Sequence, residues 1–343
     1  MTQENLMTAE LLPAGKLRPY TLKKLLRHTS QAPEVVVGPA VGEDAAVIDH
    51  GNHYLVVTTD PITFATERCG WYSVFVNAND IAACGGTPRY YSAAIVLPAG
   101  QARLADVEVL FAEIEHACQE IGVLWVGGHT EVSATVNTVL VAGQMIGEVT
   151  PNHLCRSSDA QVGDYIVLVK AAAIEATAII ANEKADEVAA LHGETMLKKS
   201  QDFLLDPGIS IVKEAAIARE FPVNAMHDPT EGGVTTGVRE ICMASNCGGL
   251  VKAEAIPILP ETAKLCQQFG LDPLGAISSG ALLLTLPAEA ASGLLDEYAN
   301  KGIQAEVIGE IAPLEAGLKM EKPDGQVAPL PEFVADEITK LYK

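Results

Sequence analysis

Residues 75–98 read FVNANDIAACGGTPRYYSAAIVLP, and this run sets the local architecture. Its first part closes a segment from Glu67 to Cys84 that fits a buried helix. Gly85-Gly86 stops that helix, and RYYSAAIVLP continues as a strand. Asn79 and Asp80 therefore stand together on a helix, one turn before a glycine pair.

Upstream, TLKKLLRH reads as a short helix capped by Thr21, followed by strands at VVV (35–37), AAVID and YLVVTT. Downstream, Val107, Leu110, Ile114 and Ala117 recur at helical spacing between Arg103 and Ile121. VLWVGG and TVLVAGQMIGEV close this half as strands. PNHLCRSSDAQVGD, 151–164, is a polar break with Pro and Gly and divides the chain into expected domains 1–152 and 153–343. In the second half, YIVLVK opens a strand. Helices are expected near 173–190, 209–220, 233–245 and 288–300, with strands at LVKAE, ALLLTLP and AEVIGEI. GLKMEKPDGQVAPL is a hairpin signal turned at Pro323-Asp324-Gly325, followed by an apolar-periodic helix through Phe333, Val334, Ile338 and Leu341. Helices and strands alternate without regular βαβ spacing, so two α+β domains are expected, each a sheet backed by helices.

A chain of 343 residues is long for one core, and 48% hydrophobic with 20% charged residues is ordinary for a globular protein. The net charge of −21 argues against nucleic-acid backbones and anionic membranes, while a local cation can still hold ATP. No apolar run reaches membrane-spanning length, and MTQENLMTAE lacks a basic region followed by an apolar core, so a cytoplasmic protein is expected. Seven scattered cysteines contain no CxxC pair. Cys242 and Cys247 are the closest, with no zinc set beside them, so reduced and mostly buried thiols are expected.

No GxxxxGK[ST] loop is present, and no GxGxxG follows a strand. A nucleotide site here needs carboxylates to hold Mg²⁺ and Mg²⁺ to hold phosphates. The parts are on hand. GEDAAVID puts Asp44 at a strand start, and TTDP puts Asp60 at a strand end. VGGHTEV sets His129, Thr130 and Glu131 after Gly127-Gly128, where backbone can approach a phosphate. HDPTEGG, His227 to Gly233, offers two titratable groups, a hydroxyl and a Gly-Gly helix entry with free N–H groups. Singly, each reads more readily as a turn residue, a helix cap or a hydrogen-bonded structural histidine, and it is their combination that points to a site.

In order, VGEDAAVID, TTDP, NDIAACGGTPRYYSAAIVLP and MHDPTEGGVTTGVREI resemble the motifs of the aminoimidazole ribonucleotide (AIR) synthetase superfamily, the PurM-like proteins. Its members include thiamine-monophosphate kinase, selenophosphate synthetase and the hydrogenase maturation protein HypE, and the last motif is most similar to HypE's HDPTRGG. The resemblance implies a homodimer whose N-terminal domains form a shared β-barrel beside clefts for ATP and Mg²⁺. It implies that Asp44, Asp60, Asp80 and Asp228 serve the metal. Asn79, Asp80, Gly127, Gly128, Thr230 and Gly232 would serve the nucleotide, with His129 and Glu131 as catalytic candidates. The implied chemistry uses ATP to activate an oxygen of an amide, a carboxamide or a phosphate acceptor, small or protein-bound.

Two departures from HypE stand out. His129 occupies a position usually acidic in HypE, although GGH is found in selenophosphate synthetases. HypE also ends in a mobile tail carrying a terminal Cys that accepts a carbamoyl group, whereas this sequence ends EITKLYK. The expectation is an ATP-dependent enzyme acting on an acceptor other than its own tail. A small-molecule kinase resembling thiamine-monophosphate kinase and a non-catalytic nucleotide-binding partner are the alternatives.

Overall fold

The computed structural model describes residues 16–17, 19–26, 29, 32–63 and 67–342; the chain start used in the leader reading lies outside them. Helix α1 (Pro19–Leu26) begins two residues before Thr21, so this threonine sits inside the first turn and does not cap it. The proline starts the helix instead, as its fixed φ favours.

The first half forms one six-stranded sheet, ordered β1-β2-β3-β6-β4-β5. Its strands are β1 (Val35–Val37), β2 (Ala46–Asp49), β3 (Tyr54–Ile62), β4 (Thr87–Pro98), β5 (Leu124–Ser133) and β6 (Leu140–Val149). Neighbours are antiparallel except β4 and β5. Two helices back this sheet, α2 (Cys69–Ala83) and α3 (Leu104–Glu120). Every residue of α2 is buried. Part of its surface packs on β3, β6 and α3, and its C-terminal Ala82 and Ala83 join a core with Val167, Met226 and Leu284 of the second half. A helix walled on all sides explains why its sequence has no polar face.

The second half forms a seven-stranded sheet, ordered β13-β12-β9-β11-β7-β10-β8. Its strands are β7 (Asp164–Val169), β8 (Ala225–His227), β9 (Gly248–Lys252), β10 (Leu282–Pro287), β11 (Ala305–Ala312), β12 (Leu318–Glu321) and β13 (Val327–Pro329). Its helices are α4 (Ile174–Glu183), α5 (Ala185–His192), α6 (Glu194–Gln201), α7 (Val212–Ala218), α8 (Gly233–Ala244), α9 (Pro260–Phe269) and α10 (Ala288–Asn300). The expected hairpin is β12–β13, with Gly325 at φ +78° in its turn. The closing helix is a 3₁₀ segment, Glu337–Tyr342. Phe333 and Val334 precede it in an irregular strap with a bend at Val334, so they are not part of a helical stripe. Among the described residues no helix is long and apolar enough to cross a membrane.

Three expectations of the sheet change. Asp60 lies inside β3, opposite Gly143, because the strand continues through Pro61 to Ile62. Beyond Val57 this strand has no register with β2, so Pro61 removes no ladder bond on that side. The glycine pair does not end a strand either, since β5 runs on through His129 and Glu131. Gly128 is required for sheet geometry: a Cβ there would meet Ala93 O of β4 at 2.0 Å. Finally, a shared barrel would leave apolar faces such as VVVG and AAIVLP open in a single subunit, yet Ile95 and Leu97 of AAIVLP are buried, and the exposed apolar edge is β5, with Leu124, Val126 and Val132.

Candidate active site

A cleft of about 750 Å³ opens between the halves, with Asp44, Asp60, Asp80 and Asp228 among its lining residues. Four elements deliver them. Asp44 comes from the turn into β2, Asp60 from β3, Asp80 from α2 and Asp228 from the loop after β8. The Asp60 N–H donates to Asn77 Oδ1 at 3.0 Å, which fixes β3 against α2. Thr58 Oγ1 donates to Asp80 Oδ2.

The electrostatics are those of an acidic cluster in a dry place. Burial, then Asp60, Asp44 and Asp228, push the Asp80 carboxyl far above the usual range. Burial, then Asp44, do the same to Asp228. Asp60 is raised chiefly by burial, which the nearby Lys16 opposes. Asp228 is 2% exposed, and neither of its carboxylate oxygens has a hydrogen-bond partner. An orphaned buried carboxylate facing three others fits a divalent cation, which would satisfy it and relieve the repulsion. Among the described residues no three His, Cys, Asp or Glu side chains converge as a complete cation site. Carboxylate oxygens are the donors that suit Mg²⁺, which keeps waters and phosphate oxygens as its other ligands.

One wall of the cleft is the face of α8 bearing Thr236, Arg239, Glu240 and Met243, a helical i, i+3, i+4, i+7 stripe. The opposite wall includes Lys16, whose ammonium donates to Thr230 Oγ1 at 2.7 Å and pairs with Glu231 at 2.8 Å. The C-terminal strap, Glu332 to Asp336, forms the third wall. It is anchored by Arg239, which donates to Leu330 O and Pro331 O at 3.0 and 3.3 Å.

Several expected roles shift. Asn79 does not reach the cleft. It is fully buried, its Nδ2 donates to Ile209 O at 2.8 Å and its Oδ1 accepts from Ile211 N at 2.9 Å, latching the two halves together. Three donors of the α8 entry are already taken. Gly232 N–H is taken by Asp336 Oδ2 at 2.7 Å, Gly233 N–H by Thr230 O, and Thr235 N–H by Leu274 O. A carboxylate from this chain occupies the helix end where a phosphate was expected. Gly127, Gly128, His129 and Glu131 lie on β5, three strands from β3, or about 14 Å at ordinary strand spacing. The side chains of His129 and Glu131 are 70% and 51% exposed and pair with each other at 3.2 Å. They stand outside the cleft of their own chain.

Reasoning from sequence missed Lys16, Glu240 and Asp336 altogether. The α8 stripe was a legible signal for Glu240, whereas Lys16 and Asp336 reach the site from distant chain positions without a local pattern.

Two mixed sheets with helices, joined across an acid-lined cleft, define the PurM-like α+β class. The chain belongs to the AIR synthase related family: the N-terminal domain model matches residues 42–149 and the C-terminal domain model residues 161–317. It is similar to carbamoyl dehydratase HypE of Bradyrhizobium diazoefficiens, 30% identical over 272 residues, covering 75% of this chain and 73% of that protein. It is also 28% identical over 286 residues to a putative hydrogenase expression/formation protein of Methanocaldococcus jannaschii, covering 81% and 82% of the two chains. Among solved structures, a HypE in complex with ATP superposes with a TM-score of 0.67 at 22% identity, covering 92% of this chain and 91% of that one. A ThiL chain complexed with AMPPCP and TMP gives 0.69 at 19% identity, covering 90% and 92%.

Proposed function

We propose that this protein is an ATP- and Mg²⁺-dependent enzyme of the HypE-like branch that activates an oxygen of an amide, carboxamide or phosphate-acceptor substrate. The observation that carries the reading is Asp228, buried with both oxygens unpartnered beside Asp44, Asp60 and Asp80. A scaffold has no use for such a cluster, because its repulsion destabilises the fold until a cation arrives. When bound, Mg²⁺ would neutralise charge on the phosphates of ATP. Asp44, Asp60, Asp80 and Asp228 would hold it, and Lys16 and Thr230 at the mouth would meet the phosphate chain. The strap and α8 would exclude water from the reacting end.

The acceptor is separate from the protein's own thiols. All seven cysteines are buried, and burial pushes Cys69 up to about 11 and Cys118 and Cys266 to about 12, away from the nucleophilic thiolate. Incubation with carbamoyl phosphate, ATP and a carbamoyl-transferring partner should leave the intact mass unchanged. A carbamoyl adduct on any cysteine would sink this part of the reading. Released ADP is the direct test of catalysis. ADP that accumulates only with an added acceptor supports the enzyme, and thiamine phosphate as that acceptor would select the kinase alternative. No release under any acceptor, with ATP still bound, would leave a non-catalytic nucleotide-binding partner.

The working form is a homodimer of two-domain subunits, divided at 1–152 and 153–343. The exposed β5 edge supports it: a strand with free backbone groups and outward Leu124, Val126 and Val132 calls for a partner. Pairing there would also bring His129 and Glu131 toward a second subunit's cleft. Light scattering at micromolar concentration should give twice 36.1 kDa, and Val126→Lys should lower it to the monomer. A wild-type monomer at that concentration removes the shared barrel.

A further inference from the structure

His227 lies at the end of β8 with its side chain 5% exposed. Its Nδ1 is 2.8 Å from Asp44 Oδ1, and its Nε2 is 3.0 Å from Glu240 Oε2. Each ring nitrogen thus faces a carboxylate oxygen, one on either side of the ring. The flat ring presents its two nitrogens in nearly opposite directions. It therefore spans rigidly from Asp44, in the first half, to Glu240 on α8 in the second.

We propose that His227 is the positioning residue of this cleft: by bridging Asp44 to Glu240 it fixes the Asp44 carboxylate in the orientation that receives a divalent cation. The inference rests on the metal reading given above and adds a residue to it. Asp44 Oδ1 is committed to the ring, while Oδ2 takes only a longer 3.3 Å bond from Ser157 Oγ and is left for the cation. Ser157 Oγ also lies 3.1 Å from Met226 O, so its single proton is shared between that carbonyl and Asp44, and its grip on Oδ2 is the weaker one. Without the ring, Asp44 would be a free rotor beside Asp60, Asp80 and Asp228. It would then relax away from its like charges, and a cation would have to gather it again. Glu240 is the outer anchor. Burial raises its carboxyl, yet the His227 hydrogen bond and charge hold it below the usual range. Partners that orient a metal ligand in this way typically change metal affinity 10- to 100-fold when lost.

The test is Mn²⁺ binding, followed by electron paramagnetic resonance on the full-length protein without nucleotide, with competition by Mg²⁺. His227→Gln should weaken Mn²⁺ about tenfold or more while circular dichroism and particle mass match wild type. Glu240→Gln keeps an acceptor for the ring but removes its charge, and should weaken Mn²⁺ several-fold. A purely structural histidine would lower the metal-free melting temperature and leave the affinity of the folded fraction alone. Unchanged affinity in a folded His227→Gln, with wild type binding Mn²⁺ normally, overturns the positioning role and leaves the metal reading intact. Wild type that binds no Mn²⁺ overturns both. If His227→Gln does not fold, Glu240→Gln decides: wild-type affinity there overturns the proposal.

Discussion

Asp80→Asn should melt at a higher temperature than wild type in metal-free buffer at pH 8, and should lose most of the stabilisation that Mg²⁺ gives. Asp80 is 5% exposed, and burial with Asp60, Asp44 and Asp228 raises its carboxyl far above the ordinary value. A carboxyl raised on folding favours the protonated folded state, so its stability contribution is complete below the unfolded value. It is lost progressively as the pH climbs toward the folded one. At pH 8 the metal-free protein therefore carries most of this penalty. Asparagine keeps an oxygen for the Thr58 hydroxyl, which donates to Asp80, and removes the charge. The gain should appear as a higher melting temperature at pH 8 that shrinks as the pH is lowered.

Magnesium reverses the sign. It competes with protons for the same oxygens, so its stabilisation of wild type should grow with pH. At about a hundred times its dissociation constant it should reach about 2.7 kcal/mol. Turnover of Asp80→Asn should fall at least a hundredfold, because the same carboxylate serves the phosphates through the metal. Calorimetry at pH 5.5 and 8, with and without Mg²⁺, checks the whole pattern. A Mg²⁺ response in the variant equal to that of wild type would remove Asp80 from the site.

The four aspartates were legible as a set: each stretch alone reads as a turn or a cap, and their order along the chain is what resembles a nucleotide- and metal-binding family. The strand segments and the burial of α2 follow from periodicity, whereas the sheet order is set by pairings between remote strands. What stayed hidden depends on contacts between remote positions. Asn79 reads as a phosphate ligand only until Ile209 and Ile211, some 130 residues away, are seen to take both ends of its amide. His129 and Glu131 look catalytic after a glycine pair, yet Gly128 exists to let β5 approach Ala93 closely. The same holds for the α8 entry, whose Gly232 N–H is spent on Asp336, a residue 104 positions downstream. Local chemistry advertises the donors, and only tertiary structure shows which acceptor has already taken them.

Asp336→Ala should be the most destabilising single change in the second half, and it should loosen the cleft at the same time. The carboxylate, 6% exposed, accepts from Gly232 N at 2.7 Å, Ile277 N at 3.3 Å and Ile338 N at 2.8 Å. These three donors belong to the α8 entry, the loop before β10 and the closing 3₁₀ segment, so one side chain ties three pieces of chain. Alanine leaves all three N–H groups without an acceptor in a buried place. At about 1–3 kcal/mol for each orphaned donor, less whatever water recovers, the loss should be about 3–6 kcal/mol. Burial raises this carboxyl to about 6 even though the three backbone donors pull it down. Its contribution is therefore greatest below the unfolded value near 4 and falls as the pH rises through 6, so the deficit of the variant should be larger at pH 4.5 than at pH 7.5. Asp336→Asn should fall between, since an amide keeps one acceptor and turns a donor toward the other N–H. The strap from Glu332 to Ala335 is joined to the same anchor, so limited proteolysis should cut the variant there before the rest of the fold opens. Nucleotide affinity should drop with it, because a wall of the cleft is gone. Urea unfolding within 1 kcal/mol of wild type, with the strap still resistant to protease, would show that water replaces the carboxylate and that the anchor lies elsewhere.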